Sequence, residues 1–141
     1  MLNKYIAISQ RSQHKFILNK LSKYNLGNTS YPILLALYLA EKENKKLGQN
    51  EIARKLHIDK SLITKSVKSL VINNYIEISD DLSNKSKKIL LLTEKSKKLI
   101  PEIKEVLDEW RTIFLNNFTE EEERELEKLL EKAYLNIVDK F

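Results

Sequence analysis

Apolar residues recur at helical spacing along most of the chain, and the pattern changes only once, between residues 75 and 93. A spacing of three and four residues is typical of a helix with one buried face. The run Ile33–Ala40 is apolar on every side, which predicts a central, buried helix. The pattern predicts six helices, over residues 3–22, 30–43, 50–56, 60–73, 94–117 and 120–141.

Polar residues mark where these helices begin and end. Four residues are expected to act as N-caps: Thr29, Asp59, Thr93 and Thr119. Thr119 and Glu122 have the spacing of a capping box, and Pro32 falls in the first turn of its helix, where its missing N–H is tolerated. Pro101 lies inside the fifth helix and is expected to kink it or to split off its first turn.

Two short segments with β-branched or bulky apolar residues, Tyr75–Ser79 and Lys88–Thr93, predict a hairpin. The polar stretch between them, residues 80–87, predicts a long loop at its tip. Leu47 is expected to add a one-residue strand contact. Two short helices joined at His57-Ile58 and followed by a hairpin form a winged helix-turn-helix, so the expected fold class is mainly α with a small β-hairpin wing.

The second helix of this unit has two distinct faces. Its apolar face is formed by Ile63, Val67, Leu70 and Val71. Its opposite face is formed by Ser61, Thr64, Lys65 and Lys68. A helix that recognises bases in the DNA major groove requires short polar and basic side chains on its exposed face. An ordinary solvated face has the same composition, and the hairpin that follows favours DNA.

The formal net charge is +5, and the charged residues are unevenly distributed along the chain. Residues 45–92 carry ten basic and five acidic side chains, whereas residues 101–141 carry six basic and twelve acidic ones. This arrangement suits a polyanion-binding module joined to a segment kept away from the polyanion. Two solvated faces without a partner are the alternative on charge alone. A second functional hypothesis is a winged-helix interaction module whose basic face binds an acidic protein.

Several classes of function are disfavoured by the composition. The chain has no cysteine and only two glycines, which removes disulfides, thiolate metal sites and glycine-rich phosphate loops. His14 and His57 lack ligand-spaced neighbours, and no base or nucleophile accompanies Asp80-Asp81, so neither a metal, a cofactor nor an enzymatic activity is expected. No apolar run is long enough to span a bilayer and no signal core precedes residue 13, so a cytoplasmic location is expected.

Residues 47–93 resemble the MarR family of bacterial transcriptional regulators. The matching motifs are Glu51-Ile52-Ala53, the run Ile58–Thr64 that contains Asp59-Lys60-Ser61, and Leu92-Thr93-Glu94 at the end of the wing. The flanking helices fit the family in order and length. The resemblance implies a homodimer whose first and last two helices interlock. It also implies binding to pseudo-palindromic double-stranded DNA, a repressor role, and release by a small aromatic or phenolic effector.

The resemblance and the recognition-helix pattern together nominate the DNA-contacting residues. These are Asn50, Lys60, Ser61, Thr64, Lys65, Lys68, Asn84, Lys85, Ser86 and Lys87. In the wing, Asn84-Lys85-Ser86 stands where the family commonly has Asp-x-Arg, so the arginine that reaches the minor groove is missing. Because lysine fits a narrow minor groove less well than arginine, we expect Lys85 and Lys87 to contact phosphate without much sequence preference.

The resemblance also divides the chain. Residues 29–93 are expected to form the DNA-binding domain, and residues 1–28 with 94–141 the dimerisation region. The large apolar groups expected at the dimer interface are Phe16, Ile17, Trp110, Phe114, Phe118, Tyr134, Ile137 and Phe141. By family analogy alone, an effector site is expected near Arg11, His14, Lys15, Tyr31 and Tyr38.

Overall fold

Six α-helices and one antiparallel hairpin account for most of the chain in a computed structural model that describes all residues from Met1 to Phe141. The helices are α1 (Leu2–Leu21), α2 (Ser30–Lys42), α3 (Gln49–Leu56), α4 (Lys60–Ile72), α5 (Glu94–Phe114) and α6 (Glu120–Ile137). The strands are β1 (Ile76–Asp81) and β2 (Asn84–Leu92), and a short 3-10 helix, Ser22–Tyr24, follows α1. The predicted order of elements and the mainly helical fold class are confirmed.

Asparagine rather than glycine supplies the left-handed backbone at most of the turns. The non-glycine residues with positive φ are Asn25, Asn44, His57, Asn74 and Asn117, with φ between 54° and 67°. Both glycines have negative φ. A short polar side chain tolerates the left-handed region better than most others do, and such a residue ends a helix. The high asparagine content therefore has a structural use in a chain with two glycines.

The predicted helix starts differ in how they are capped. Thr93 Oγ1 accepts a hydrogen bond from Ser96 N at 3.2 Å, and Thr119 Oγ1 accepts one from Glu122 N at 3.1 Å. Glu122 Oε1 in turn accepts from Thr119 N at 2.9 Å, which confirms the capping box. Thr29 and Asp59 stand at the N-cap positions of α2 and α4, but neither side chain makes a capping hydrogen bond.

Pro101 does not split α5, so that part of the prediction is wrong. The helix runs without a break from Glu94 to Phe114 with Pro101 inside it. Proline removes only the hydrogen bond to the Lys97 carbonyl, and both Lys97 and Pro101 lie on the exposed side, where water can reach that carbonyl. Buried side chains anchor α5 in the core both before and after Pro101: Leu99, Ile100, Ile103 and Val106.

The hairpin is longer than predicted and its tip is shorter. β1 and β2 pair from Ile76↔Leu92 to Asp80↔Lys88, with a register shift between Asp80 and Asp81, and only Leu82 and Ser83 connect the strands. The polar residues assigned to a loop are therefore mostly strand residues. The reason is that the outer part of the hairpin is mostly exposed on both sides and needs no apolar alternation; Lys88 and Asp80 form an ion pair across the strands there.

Residues 1–107 form one unit built around a single apolar core. Side chains that are almost completely buried there include Ile17, Leu21, Ile33, Leu34, Ile52, Ile63, Leu70, Ile76, Ile100 and Ile103. The core includes the predicted inner face of α4, and α2 lies within it as expected. Leu47 makes the predicted isolated strand contact, with Leu90. This core fixes the backbone on which α3, α4 and the hairpin are presented.

Residues 108–141 form a second unit, which contains the end of α5, the turn at residues 115–119 and α6. Arg111 Nη2 binds Glu123 Oε2 at 2.9 Å, which joins the two helices across the turn. No residue of α6 is buried within the chain. None of the helices combines the length and the apolar character needed to cross a membrane.

Candidate nucleic-acid interface

One side of α4 is anchored in the core and the other faces solvent. Ile63, Val67 and Leu70 are at most 1% exposed, which fixes the rotation of the helix about its axis. Lys65 and Lys68 are consequently directed outward, together with Ser61. Neither lysine forms an ion pair within the chain, so both ammonium groups are available to an external anion.

Thr64 differs from the other outward residues because its hydroxyl is already engaged. Thr64 Oγ1 donates a hydrogen bond to Gln49 Oε1 at 3.0 Å, and the side chain is half-buried. The bond joins the first residue of α3 to the second turn of α4. Sequence reasoning missed Gln49, since its position 15 residues away gives no local signal of a contact. Thr64 is thus oriented by α3 rather than freely directed at a ligand.

The turn between α3 and α4 depends on left-handed backbone at His57. With φ of 54°, His57 ends α3, and Ile58 N donates to Ala53 O at 3.1 Å. The chain then leaves in an extended conformation at Asp59 and enters α4. The imidazole itself is exposed and belongs to no group of three or more metal-ligating side chains, so we assign His57 a conformational role.

A groove of about 670 Å³ lies between the start of α3, the start of α4 and the hairpin. Five of the residues nominated from the sequence line it: Asn50, Lys60, Asn84, Ser86 and Lys87. Residues that the sequence did not nominate also line it, notably Glu51, Arg54 and Lys88. The recognition face of α4 beyond Lys60 and the exposed Lys85 are not part of the groove lining.

The cations of the groove are not equivalent. Lys87 Nζ lies 2.6 Å from Glu51 Oε1, and Lys88 pairs with Asp80 across the hairpin. Arg54 and Lys60 are exposed and form no ion pair. The hydrogen bond from Lys87 lowers the pKa of Glu51 below its usual range, with a smaller contribution from the Gly48 N–H. The groove therefore offers two unpaired cations, Arg54 and Lys60, and two that are held in ion pairs, Lys87 and Lys88.

The first residues of β2 are the ones for which the sequence resemblance implies an acid-x-arginine motif. Asn84 Oδ1 accepts hydrogen bonds from Ser86 N at 3.2 Å and from Ser86 Oγ at 2.7 Å. Lys85 between them is exposed and unpaired. An amide that holds a serine thus stands where the resemblance to the MarR family implies an acid and an arginine, and the positive charge between these two residues comes from Lys85.

The residues expected near an effector fall into two groups. Arg11, His14 and Lys15 lie on α1, where Arg11 Nε donates to Ala7 O, while Tyr31 and Tyr38 lie two turns apart on α2. No hydrogen bond or ion pair joins one group to the other.

The two tyrosines have different surroundings. Burial raises the pKa of Tyr31. The Tyr38 ring is approached by Lys42 and Lys104 at 4.6 and 4.5 Å, and hydrogen bonding to Lys42 is the main cause of its lowered pKa.

The residues expected at a dimer interface are exposed to very different degrees. Ile17 is fully buried in the core of the single chain, and Phe16 and Trp110 are half-buried. Five others expose 40% or more of their surface: Phe114, Phe118, Tyr134, Ile137 and Phe141. Sequence reasoning did not nominate several equally exposed apolar side chains: Leu2, Tyr5, Ile8, Leu129, Leu130 and Leu135.

Comparison with known proteins points to one class of regulator. The sequence is 28% identical over 113 residues to the HTH-type transcriptional regulator YybA of Bacillus subtilis (strain 168), covering 80% of this chain and 73% of that protein. No family model matches the sequence.

Solved structures match over nearly the whole chain. A MarR transcriptional regulator from Methanosarcina mazei Go1 has a TM-score of 0.85 and 28% identity, covering 96% of this chain and 88% of that one. A putative MarR family transcriptional regulator from Listeria monocytogenes, crystallised with a 26mer DNA, has a TM-score of 0.85 and 26% identity, covering 99% and 89%. The resemblance noted in the sequence is confirmed, and these relatives are transcriptional regulators rather than enzymes.

Proposed function

Because this chain has the fold of MarR-family transcriptional regulators, we propose that it is a homodimeric regulator that binds double-stranded DNA at a pseudo-palindromic operator. The observation that carries the proposal is the outward face of α4, where Ser61, Lys65 and Lys68 are exposed and the two lysines are unpaired. Its buried face fixes this presentation. A helix held in this way can enter a major groove without first rearranging.

The groove beside α4 supports the same assignment. Lys60 and Asn50 stand near the N-termini of α4 and α3, where side chains and backbone N–H groups commonly bind phosphate. Arg54 adds an unpaired guanidinium to that wall. We propose that these groups and Lys68 bind the DNA backbone while the rest of the outward face of α4 contacts base edges, and that Lys85 meets phosphate from the wing. That a similar protein crystallised with a 26mer DNA favours duplex DNA over an acidic protein as the occupant.

Dimerisation is proposed from the apolar side chains that the single chain leaves exposed. No residue of α6 is buried, even though the helix carries several large apolar side chains. Four of them are at least 50% exposed: Leu129, Leu130, Tyr134 and Ile137. Contiguous apolar surface of this kind is typical of an interface. We propose that residues 1–28 and 94–141 form the dimerisation region, that residues 29–93 form the DNA-binding domain, and that two half-sites lie about one helical turn, roughly 34 Å, apart.

We further propose that the protein is a repressor released by a small aromatic or phenolic effector. Tyr31 and Tyr38 on α2 and the basic residues of α1 are the groups proposed to bind it. Calorimetric titration with salicylate, repeated with Tyr38→Leu, tests this step: heat that disappears in the variant supports the site, and heat that persists unchanged places the ligand elsewhere.

A salt titration tests DNA binding directly. Affinity for a pool of random-sequence duplexes is measured by fluorescence anisotropy against salt concentration, for the natural protein, Lys68→Met and Lys132→Met. Each phosphate contact contributes about 0.9 to the magnitude of the log–log slope, so Lys68→Met lowers that magnitude by about 0.9 per subunit, or about 1.8 for a homodimer. Lys132→Met removes an exposed lysine of α6 and leaves the slope unchanged.

Two results contradict the proposal. Absence of duplex binding together with salt-sensitive binding to polyglutamate would assign the basic face to an acidic protein instead. A monomer in sedimentation velocity at micromolar concentration would exclude the homodimer. If both tests agree with the proposal, selection of bound genomic fragments by the purified protein then identifies the operator.

A further inference from the structure

The hairpin is attached to the start of α3 through three neighbouring contacts. Leu90 N donates to Leu47 O at 2.9 Å, and Gly48 packs against the Lys88 carbonyl so closely that a Cβ atom there would lie 2.7 Å from it. The third contact is the ion pair between Glu51 and Lys87. The first two involve only backbone atoms. The ion pair is the one attachment that uses side-chain charge.

Glu51 is itself held in place by α3. Its Oε1 atom accepts a hydrogen bond from Gly48 N at 3.1 Å as well as one from Lys87. The side chains of Glu51 and Lys87 are 31% and 36% exposed, so the pair is partly shielded from water. The Glu51 carboxylate is fixed at the start of α3 and binds the Lys87 ammonium on β2. The ion pair therefore restricts the position of β2 more than the backbone contacts alone would.

We propose that Glu51 is a positioning residue for the wing, and that its pairing with Lys87 removes Lys87 from the set of phosphate-binding lysines. The inference rests on the proposed DNA binding and revises one residue of it. Lys85 then remains as the one unpaired lysine of the hairpin, because Lys88 is paired with Asp80. The wing accordingly adds about one phosphate contact per subunit rather than the two or three that its lysine count suggests.

Salt dependence separates this proposal from the simpler one in which Lys87 binds phosphate. Duplex binding is measured as above for Lys87→Met, Glu51→Gln and the matched wing variant Lys85→Met. We expect Lys87→Met to leave the magnitude of the slope unchanged, because Lys87 is already paired with Glu51, and Lys85→Met to lower it by about 0.9 per subunit, or about 1.8 for a homodimer. Glu51→Gln should raise the magnitude of the slope by about 0.9 per subunit, or about 1.8 for a homodimer, because it frees the Lys87 ammonium, which lines the groove.

The signs of these changes decide between the two roles of Lys87. A slope that falls in Lys87→Met as it does in Lys85→Met overturns the proposal, as does an unchanged slope in Glu51→Gln. A purely structural role for Glu51 would not raise the number of phosphate contacts. Glutamine keeps an oxygen that can accept from Gly48 N, so the start of α3 is preserved in that variant.

Hydrogen exchange of the free protein tests the positioning role without DNA. The Leu90 amide, which donates to Leu47 O, reports directly on the attachment. We expect Glu51→Gln and Lys87→Met each to raise its exchange rate by about two- to five-fold, the range of a partly exposed ion pair, and Lys85→Met to leave it unchanged. Equal exchange rates of the Leu90 amide in all four proteins would overturn the positioning role, whether or not duplex DNA is bound. If the natural protein does not bind duplex DNA, only the proposed function is contradicted.

Discussion

Replacing Gly48 by alanine should loosen the hairpin from α3. An alanine Cβ would lie 2.7 Å from the Lys88 carbonyl oxygen, whereas C···O contacts in proteins lie at about 3.3–3.6 Å, so the two backbones must separate by about 0.6 Å or more. Neither contact atom belongs to a flexible side chain. The separation also stretches the Leu90–Leu47 hydrogen bond, which is 2.9 Å long.

The expected cost follows from these two effects. Overpacking in a well-packed region costs about 1–3 kcal/mol, and a stretched backbone hydrogen bond loses up to about 1 kcal/mol. We therefore expect the free energy of unfolding to fall by about 2–3 kcal/mol. For a chain of this length that lowers Tm by about 7–10 °C.

Thermal unfolding followed by circular dichroism, at one fixed protein concentration, measures the change. Gly27→Ala is the matched control, because nothing lies within 4 Å of its Cβ position and its φ is not positive. That variant should melt at or slightly above the natural temperature, since alanine restricts the unfolded chain. If Gly48→Ala melts within about 2 °C of the natural protein, β2 yields to the extra atom without cost and the reasoning fails.

Three further changes test other parts of the structure by equilibrium unfolding. Thr119→Ala removes one hydrogen bond of the capping box and should lower the free energy of unfolding by about 1 kcal/mol. Thr112→Ala is the control and should cause no loss, because the Thr112 hydroxyl lies within α5 and donates only to Asp108 O. His57→Gly relieves left-handed backbone and should stabilise the protein by about 1 kcal/mol; a loss of stability would mean that the imidazole contributes contacts. The pKa of Glu51 is lowered in the folded protein. The stability advantage of the natural protein over Glu51→Gln should therefore be fully present above about pH 4.3, the ordinary glutamate pKa, and should be lost as the pH falls through the lower pKa of the folded state. An advantage that grows on acidification would contradict this prediction.

The sequence by itself determined the elements and their faces. Helical periodicity is local, since residues three and four apart share a face whatever surrounds them, and it correctly predicted six helices and the buried side of α4. Asparagines at positions 25, 44, 74 and 117 ended helices as glycines would have done. The threonine capping box before α6 was also predictable, because both of its hydrogen bonds lie within four residues.

The tertiary structure decided which side chains remain available. Lys87 looks like its neighbour Lys85 in the sequence, yet only Lys87 lies within reach of Glu51, 36 residues earlier in the chain. The same holds for Thr64, whose hydroxyl donates a hydrogen bond to Gln49, and for Ile17, which is buried within the single chain. The full length of the hairpin also depended on contacts between strands. Each of these outcomes depends on the distance between residues remote in sequence, which a local pattern of apolar and polar positions does not contain.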